Sequence, residues 1–156
     1  MPILPKPFLL HSILFVFLLL FPTLSLAEMV SVSGDNVNLR TGPSTTSPVK
    51  WRYGSGFPLQ VLEKKGEWLK VQDFENDTGW LHTSLTAKTG HMIVKVNKGS
   101  DEKINIRSGP GTNHKVVGMA HYGVVFRTIE QRNGWALVRH ESGLEGWILR
   151  SLLWGF

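Results

Sequence analysis

Beyond a continuous apolar stretch near its start, the chain alternates apolar and polar residues in short runs. Val37 to Arg40 and Trp68 to Gln72 are examples. Alternation with a period of two is typical of strands that bury one face, because successive side chains point to opposite sides of a sheet. Glycine, proline, asparagine and aspartate separate the runs and indicate turns. No stretch shows a helical period, so the pattern predicts an all-β protein.

The alternating runs occur twice, in the same order. Residues 36–85 align without a gap with residues 103–152, at an offset of 67, and 14 of the 50 aligned positions are identical. Unrelated sequences of ordinary composition would match at about three positions. The chain is therefore a tandem repeat, and both copies are expected to share one fold. Several short strands punctuated by glycine predict a small β-barrel for each copy.

The apolar stretch near the start runs from Phe8 to Phe21, with Lys6 before it and Ser25-Leu26-Ala27 after it. A basic residue, a short apolar run and small residues at the cleavage position form the pattern of a secretory signal peptide. The run is short for a membrane span, which needs about 20 residues. We therefore predict a signal peptide over residues 1–27, and an uncleaved N-terminal anchor is the alternative.

The predicted mature chain has two domains, residues 28–87 and residues 88–156. No second apolar segment of spanning length follows, so we expect a secreted or periplasmic protein without stable membrane insertion after cleavage. The chain has no cysteine, which excludes thiol chemistry and leaves each domain to be stabilised by packing alone. We predict no nucleic-acid partner, because export separates the protein from nucleic acid.

Charge is divided unevenly between the two predicted domains. Residues 28–87 carry 6 positive and 7 negative side chains, whereas residues 88–156 carry 10 and 5. An excess of positive charge favours an anionic partner such as a wall polymer. A solvated basic face is the alternative explanation for the second domain.

Each copy carries four short motifs in the same order. They are Asn-x-Arg-x-Gly-Pro, a glycine before the central strand (Gly56 and Gly123), a tryptophan that opens the next strand (Trp68 and Trp135), and Gly-Trp near the end. In these motifs the chain resembles the bacterial SH3 domain family. The resemblance implies two tandem SH3-like, partly open β-barrels. It also implies an exported module, of a kind that is often attached to cell-wall hydrolases. Several modules of this family bind peptidoglycan or peptides. The first motif comprises Asn38, Arg40, Gly42 and Pro43 in one copy, and Asn105, Arg107, Gly109 and Pro110 in the other.

We expect the first motif to be structural in both copies. Gly42 and Gly109 are predicted to adopt a backbone conformation that is closed to residues with a side chain. The rigid fork of donors on Arg40 and Arg107 suits loop carbonyls or a carboxylate. Support of the loop is the favoured role of each arginine, and ligand binding is the alternative.

The candidate ligand-binding residues are aromatic. Strand alternation places Trp68 and Trp80 on the face opposite the aliphatic residues of their strands, and Trp135 and Trp147 occupy the same positions in the second copy. If the aliphatic residues fill the barrel, the indoles lie outside it. Exposed aromatic rings in a groove bind extended peptides or sugars. The alternative is that each tryptophan covers an open barrel end or packs against a loop.

Three further aromatic candidates occur in the first copy only: Trp51, Tyr53 and Phe74. The fold does not require an aromatic residue at these positions in both copies. The three side chains are therefore predicted either to bind a ligand or to form the contact between the domains. Their counterparts at the same offset are Gly118, Ala120 and Glu141.

These features together predict an exported, non-catalytic binding module for cell-envelope material. The repeats fill most of the predicted mature chain, the histidines lack metal-ligand spacing, and no Gly-x-Ser-x-Gly motif is present. We therefore expect no enzymatic activity, no metal site and no cofactor. The expected ligand is peptidoglycan, as cell-wall peptide or glycan. The alternatives are a structural adaptor that binds an envelope protein and, as a third hypothesis, a small hydrolase.

Overall fold

The computed structural model describes residues 28–156, so the predicted signal peptide lies outside the described residues. The described chain is built from strands, and its helical segments are two 3-10 turns, Thr83–Leu85 and Arg150–Leu152. Within this range no helix is long and apolar enough to cross a membrane. The prediction of an all-β fold is confirmed.

Seven strands form each copy within the described range. The first copy contains β1 (Met29–Val32), β2 (Val37–Arg40), β3 (Val49–Tyr53), β4 (Pro58–Lys65), β5 (Trp68–Gln72), β6 (Thr78–His82) and β7 (Thr86–Ala87). The second copy contains β8 (His91–Val94), β9 (Ile104–Arg107), β10 (Val116–Ala120), β11 (Val125–Arg132), β12 (Trp135–Arg139), β13 (Glu145–Leu149) and β14 (Leu153–Gly155).

The two sheets have the same topology. Their hydrogen-bonded orders are β3-β2-β6-β5-β4-β1-β7 and β10-β9-β13-β12-β11-β8-β14. A register shift between Val61 and Glu63 in β4 recurs between Thr128 and Glu130 in β11. Such a bulge bends a strand and increases its twist, which helps the sheet to curl around its core. Each sheet keeps two free edges, so the barrels are partly open, as predicted.

Alternation along the strands separates core from surface as the sequence pattern indicates. In β5, Leu69 and Val71 are buried, while Trp68, Lys70 and Gln72 are partly exposed. Within each copy, the inward-facing side chains of the strands form one core. The two copies have separate cores. The fully buried members include Leu39, Leu59, Val71 and Leu81 in the first core, and Met92, Val94, Val138 and Ile148 in the second.

The copies pack against each other through an aromatic cluster. Phe74 of the first copy lies 5.3 Å from Tyr122 and 6.5 Å from Trp154 of the second copy, measured between ring centroids, and 6.0 Å from Phe57. Aromatic pairs at these distances contribute beyond the apolar area that they bury. Docking of the two copies therefore supplements two small cores.

Polar contacts surround this cluster. The connection between β8 and β9 spans residues 95–103, against residues 33–36 between β1 and β2, and its Lys98 forms an ion pair with Glu75 at 2.6 Å. Glu75 also accepts a hydrogen bond from the Tyr122 hydroxyl. The longer connection of the second copy thus reaches across and contacts the first copy.

Candidate functional site

The first sequence motif closes the loop between the second and third strands of each copy. Arg40 donates from Nη1 to the Ser47 carbonyl at 2.7 Å, and Arg107 donates from Nη1 to the His114 carbonyl at 2.9 Å. The two acceptors occupy the same position in their repeats. Each arginine therefore holds its own loop, which is the favoured of the two roles expected from the sequence.

The expected reason for the motif glycines is wrong. Neither Gly42 nor Gly109 has a positive φ. A Cβ on Gly42 would instead lie 2.9 Å from Ser47 Oγ, and a Cβ on Gly109 would lie 2.6 Å from His114 Cε1. A side chain at either position would displace the loop residue that packs directly against it.

The motif asparagine has different contacts in the two copies. Asn38 accepts a hydrogen bond through Oδ1 from Arg52 Nε at 3.1 Å, which joins β2 to β3. Asn105 is exposed on β9, where its register partner is Met119. The prolines that follow the glycines are partly buried in their loops: Pro43 and Pro110.

Two indoles lie on the outer face of the first barrel. Trp80 is the register partner of Arg40 on one side and of Lys70 on the other. Trp68 is the register partner of His82 and packs edge-to-face with it, at 5.2 Å between centroids. Both indoles are partly exposed, so the first copy presents aromatic surface flanked by cationic side chains.

The corresponding face of the second copy is more covered. Trp147 is only 7% exposed, and the Arg132 guanidinium lies 5.1 Å from its ring centroid, in a cation–π arrangement. Its register partner in β12 is Leu137, where the first copy has a lysine. Trp135 is partly exposed next to Leu149. The two copies therefore share these tryptophans but differ in how accessible Trp80 and Trp147 are.

Trp51 is the most exposed of the aromatic candidates, with 63% of its surface free. It lies on edge strand β3, in register with the buried Leu39 and on the same side of the strand as Tyr53. The side of β3 that faces the core at Tyr53 therefore reaches solvent at Trp51. An indole is thus displayed at an open edge of the first barrel.

The second copy closes the equivalent position. Gly118 replaces the indole, and a Cβ there would lie 2.7 Å from Leu144 Cδ2. Leu144 packs against the second core, whereas the first copy has Asp77 at that position of the repeat. Sequence reasoning does not single out Leu144. The exchange of leucine for aspartate at the offset of 67 is the signal that identifies it.

Tyr53 is not on a ligand-accessible surface, which corrects its place among the candidates. It is 2% exposed, stacks on Phe57 at 4.4 Å between centroids, and donates from its hydroxyl to Asp73 Oδ2 at 2.8 Å. Burial, together with the Asp73 carboxylate, raises the pKa of Tyr53 well above its usual range. A side chain enclosed in this way is part of the first core.

Phe74 belongs to the contact between the copies, where it meets Tyr122 and Trp154. This is the second of the two roles considered for the aromatic residues that lack a counterpart. Among residues 28–156 no three histidine, aspartate or glutamate side chains are grouped in a way that would hold a metal ion.

The fold and these surfaces define a tandem pair of small open barrels with one more accessible aromatic face. The profile of the bacterial SH3 domain family matches residues 33–88 and 100–155. These two matches cover more than half of the chain. The protein therefore belongs to the bacterial SH3 domain family, and the resemblance stated from its motifs is confirmed.

Curated relatives are much longer proteins. One is the "Putative N-acetylmuramoyl-L-alanine amidase YrvJ" of Bacillus subtilis strain 168, which is 26% identical over 139 residues. The alignment covers 83% of this chain and 27% of that protein. Another is the "Probable cell wall amidase LytH" of Staphylococcus aureus, which is 36% identical over 55 residues. That alignment covers 33% of this chain and 19% of the relative. The chain thus spans about a quarter or less of the length of these relatives.

A solved structure is also similar, at low level. It is an NlpC/P60 family protein from Bacillus cereus ATCC 10987, with a TM-score of 0.36 and 13% identity over 83% of this chain and 56% of that one. A TM-score of this size carries no argument about function.

The prediction that the protein is not an enzyme is contradicted by its relatives, which are named as amidases. That prediction rested on how little of the chain lies outside the repeats. The repeats match only part of much longer amidases, so the room left within this sequence is not a valid ground for excluding an activity.

Proposed function

We propose that the two domains bind peptidoglycan and supply the wall-binding part of a cell-wall amidase function. Membership of the bacterial SH3 domain family and similarity to proteins named as wall amidases support a role at the cell wall. A wall ligand implies a location outside the cytoplasm, in the cell envelope, in agreement with the predicted export.

The observation that carries the proposal is the exposed Trp51 at the edge of the first barrel. An indole with 63% of its surface free offers a large apolar area that a ligand can cover. Four of the five residues of β3 are exposed, and the strand lies at a sheet edge. Free backbone groups on an edge strand can pair with an extended peptide. A wall peptide adding to β3 would gain backbone hydrogen bonds and contact with the indole.

The outer face of the first barrel supports the same ligand. Trp80 lies between Arg40 and Lys70, so its partly exposed ring is bordered by positive charge. Sugars stack on indoles, and the carboxylates of a wall polymer are attracted to the neighbouring cations. The second copy offers less at this position, because Arg132 covers Trp147.

Co-sedimentation of the purified protein with isolated sacculi tests the proposal. We expect the wild type to be retained, and Trp51→Ala to weaken retention about tenfold, which corresponds to about 1.4 kcal/mol. Met119→Ala is the matched control, because Met119 is a 60% exposed apolar side chain on the edge strand of the other copy. Its retention should equal that of the wild type.

Circular dichroism verifies that both variants stay folded. Absence of retention of the wild type at low and moderate salt would refute wall binding and favour a protein partner in the envelope. Equal losses in Trp51→Ala and Met119→Ala would refute the assignment of the site to the first copy.

A further inference from the structure

A groove of about 590 Å³ lies between the two copies. One wall comes from the first copy and consists of Asp35 and the turn at residues 54–56. The other wall comes from β11 and from the turn between β12 and β13 of the second copy, and His91 at the junction also lines the groove. Trp51 does not contribute to it. The groove is therefore separate from the wall-binding surface proposed above.

The second-copy wall contains part of a row of charged residues that are register partners in the sheet. His91 pairs with Arg127, and Arg127 with Arg139. Arg139 pairs in turn with Glu145. Register partners project from the same face with their Cβ atoms about 5 Å apart. The equivalent row of the first copy carries no charge and consists of Met29, Gln60, Gln72 and Thr78.

Two arginines in directly opposed positions are unfavourable, because like charges on neighbouring antiparallel strands repel. Arg139 is compensated by Glu145, whose Oε2 lies 2.6 Å from Nη2. Arg127 is exposed and forms no ion pair with any residue in the range 28–156. The first copy builds the same strands with two glutamines, so the fold does not require this arginine.

Negative charge lies elsewhere on the groove wall. Asp35 belongs to the first copy and Glu141 to the turn between β12 and β13. Both residues are exposed, and neither forms an ion pair within the described part of the chain. Asp35 Oδ1 accepts a hydrogen bond from the Ser55 N–H at 3.4 Å, and its charge has no ionic partner among residues 28–156. A groove with one cation and two carboxylates outside any ion pair of this range complements a ligand that carries both signs of charge. The two carboxylates make this groove less attractive to a polyanion than a purely basic groove would be.

We propose that the groove is a second binding site, for a short peptide with a free carboxylate and a free ammonium group. The guanidinium of Arg127 binds the carboxylate through its paired donors. Asp35 and Glu141 attract the ammonium group. The inference rests on the proposed function, because wall peptides are the ligands of this chemistry that a wall-binding protein meets.

One relative is named as an N-acetylmuramoyl-L-alanine amidase, and the reaction in this name produces a peptide with both charged groups. Hydrolysis of an amide bond between an N-acetylmuramoyl group and L-alanine adds one water. The acyl carbon is left as a carboxylate, and the alanine nitrogen leaves as an ammonium group. A wall peptide released in this way has a charged amino terminus, whereas the same peptide attached to the glycan has none. The groove therefore favours the released peptide over the attached one.

Calorimetric titration of the purified full chain tests this site. The probe is the synthetic tetrapeptide L-Ala-D-Glu-L-Lys-D-Ala with free termini, alongside its N-acetylated and C-amidated forms. We expect the free peptide to bind, and both modified forms to bind more weakly. Arg127→Gln, which restores the residue type of the first copy, should weaken binding of the free peptide at least tenfold. Met119→Ala, whose exposed side chain lies outside the groove, should bind it as the wild type does.

Thermal unfolding without ligand supplies a second measurement on the same variant. Arg127→Gln removes the repulsion between opposed arginines, so its melting temperature should equal or exceed that of the wild type. A lower melting temperature would show that Arg127 supports the fold and would overturn its assignment to a ligand.

The remaining outcomes separate this site from the proposed function. Retention of the wild type on sacculi without binding of the tetrapeptide would overturn the groove site and leave wall binding intact. Binding of the tetrapeptide without retention on sacculi would overturn wall binding and leave the groove site intact. Equal affinity of Arg127→Gln and wild type for the tetrapeptide would overturn the site. Binding of a glycerol phosphate polymer in place of the tetrapeptide would do so as well.

Discussion

The two copies bury the same positions and expose different ones. Leu81 and Ile148, at one position of the repeat, are both fully buried. Trp51 and Gly118, at another, present an exposed indole in one copy and a gap filled by Leu144 in the other. The shared core explains why the folds are alike. The surfaces differ because the shared core does not constrain the exposed positions.

The largest expected effects come from the shared core. Leu81→Ala and Ile148→Ala each remove a fully buried branched side chain. Each should destabilise its own copy by about 2–5 kcal/mol, from lost transfer free energy and the cavity left behind. Denaturant unfolding followed by tryptophan fluorescence measures both. If one substitution lowers stability within this range and the other leaves it unchanged, the two cores are not equivalent.

The turn between the fifth and sixth strands of each copy should respond unequally. Asp73 accepts hydrogen bonds from the Tyr53 hydroxyl and from the backbone N–H groups of Glu75 and Asp77. The second copy has His140 there, whose Nδ1 accepts from the Ser142 N–H at 3.2 Å. Asp73→Ala leaves a buried hydroxyl without its acceptor and should cost about 2–3 kcal/mol.

His140→Ala removes the bonds to Ser142 and an edge-to-face contact with Phe126, 5.6 Å away between centroids, but leaves no buried polar group without a partner. It should therefore cost about 1 kcal/mol. Asp73→Asn keeps an acceptor for the turn and should lie between the two alanine variants. The free energies of unfolding, measured in urea, decide the matter. Equal losses in Asp73→Ala and His140→Ala would contradict the unequal roles of the two turns.

The contact between the copies is a third place where they differ. Phe74 packs against Tyr122 and Trp154, whereas its counterpart Glu141 lies in the open groove. Phe74→Ala should cost about 2 kcal/mol, because a partly buried ring and its three aromatic pairs are lost. We expect the unfolding of the two copies to separate into two steps in calorimetry.

Lys98→Ala is the matched control for this contact, since Lys98 crosses the same interface but is exposed. An exposed ion pair contributes little, so this variant should unfold almost as the wild type does. A larger loss in Lys98→Ala than in Phe74→Ala would show that charge, and not the aromatic cluster, joins the copies.

The sequence predicts the fold well because the fold depends on local patterns. Alternation from Val37 to Arg40 marks β2 with the bounds that the structure has. The offset of 67 carries the predictions for β2 to β6 into the second copy. The first strands of the copies, β1 and β8, differ by 62 because the connection after β8 is five residues longer. Register and topology then follow from burying the same face of each strand.

The site is harder to predict, because it depends on which strands lie at an edge and on how the copies dock. Trp51, Tyr53 and Phe74 satisfy the same sequence criterion, yet one is exposed, one lies in the core and one joins the copies. Alternation within a strand gives a side chain's face but not what covers that face. The opposed Arg127 and Arg139 are likewise hidden until the pairing of β11 with β12 is known.

The smallest expected effect concerns pH and the junction between the copies. His91 Nδ1 lies 3.0 Å from Ser31 Oγ, and the first copy has Met29 at the matching place in its sheet. Burial lowers the pKa of His91 below its ordinary value of 6.5, and the charge of Arg127 lowers it further, while a hydrogen bond to the Thr89 carbonyl opposes the shift. The unfolded chain therefore binds this proton at a higher pH than the folded chain.

Stability from His91 is accordingly complete above pH 6.5 and is lost as the pH falls through the lowered folded pKa. Melting temperatures measured between pH 8 and pH 5 should fall on acidification, and the fall should be shallower in His91→Gln, which has no proton to gain. Met29→Gln, at the matching position of the other copy, should keep the wild-type slope. A wild-type slope in His91→Gln would assign the pH dependence to other groups. A reduced slope would place an acid-sensitive contact beside the groove, where protonation adds a cation next to Arg127.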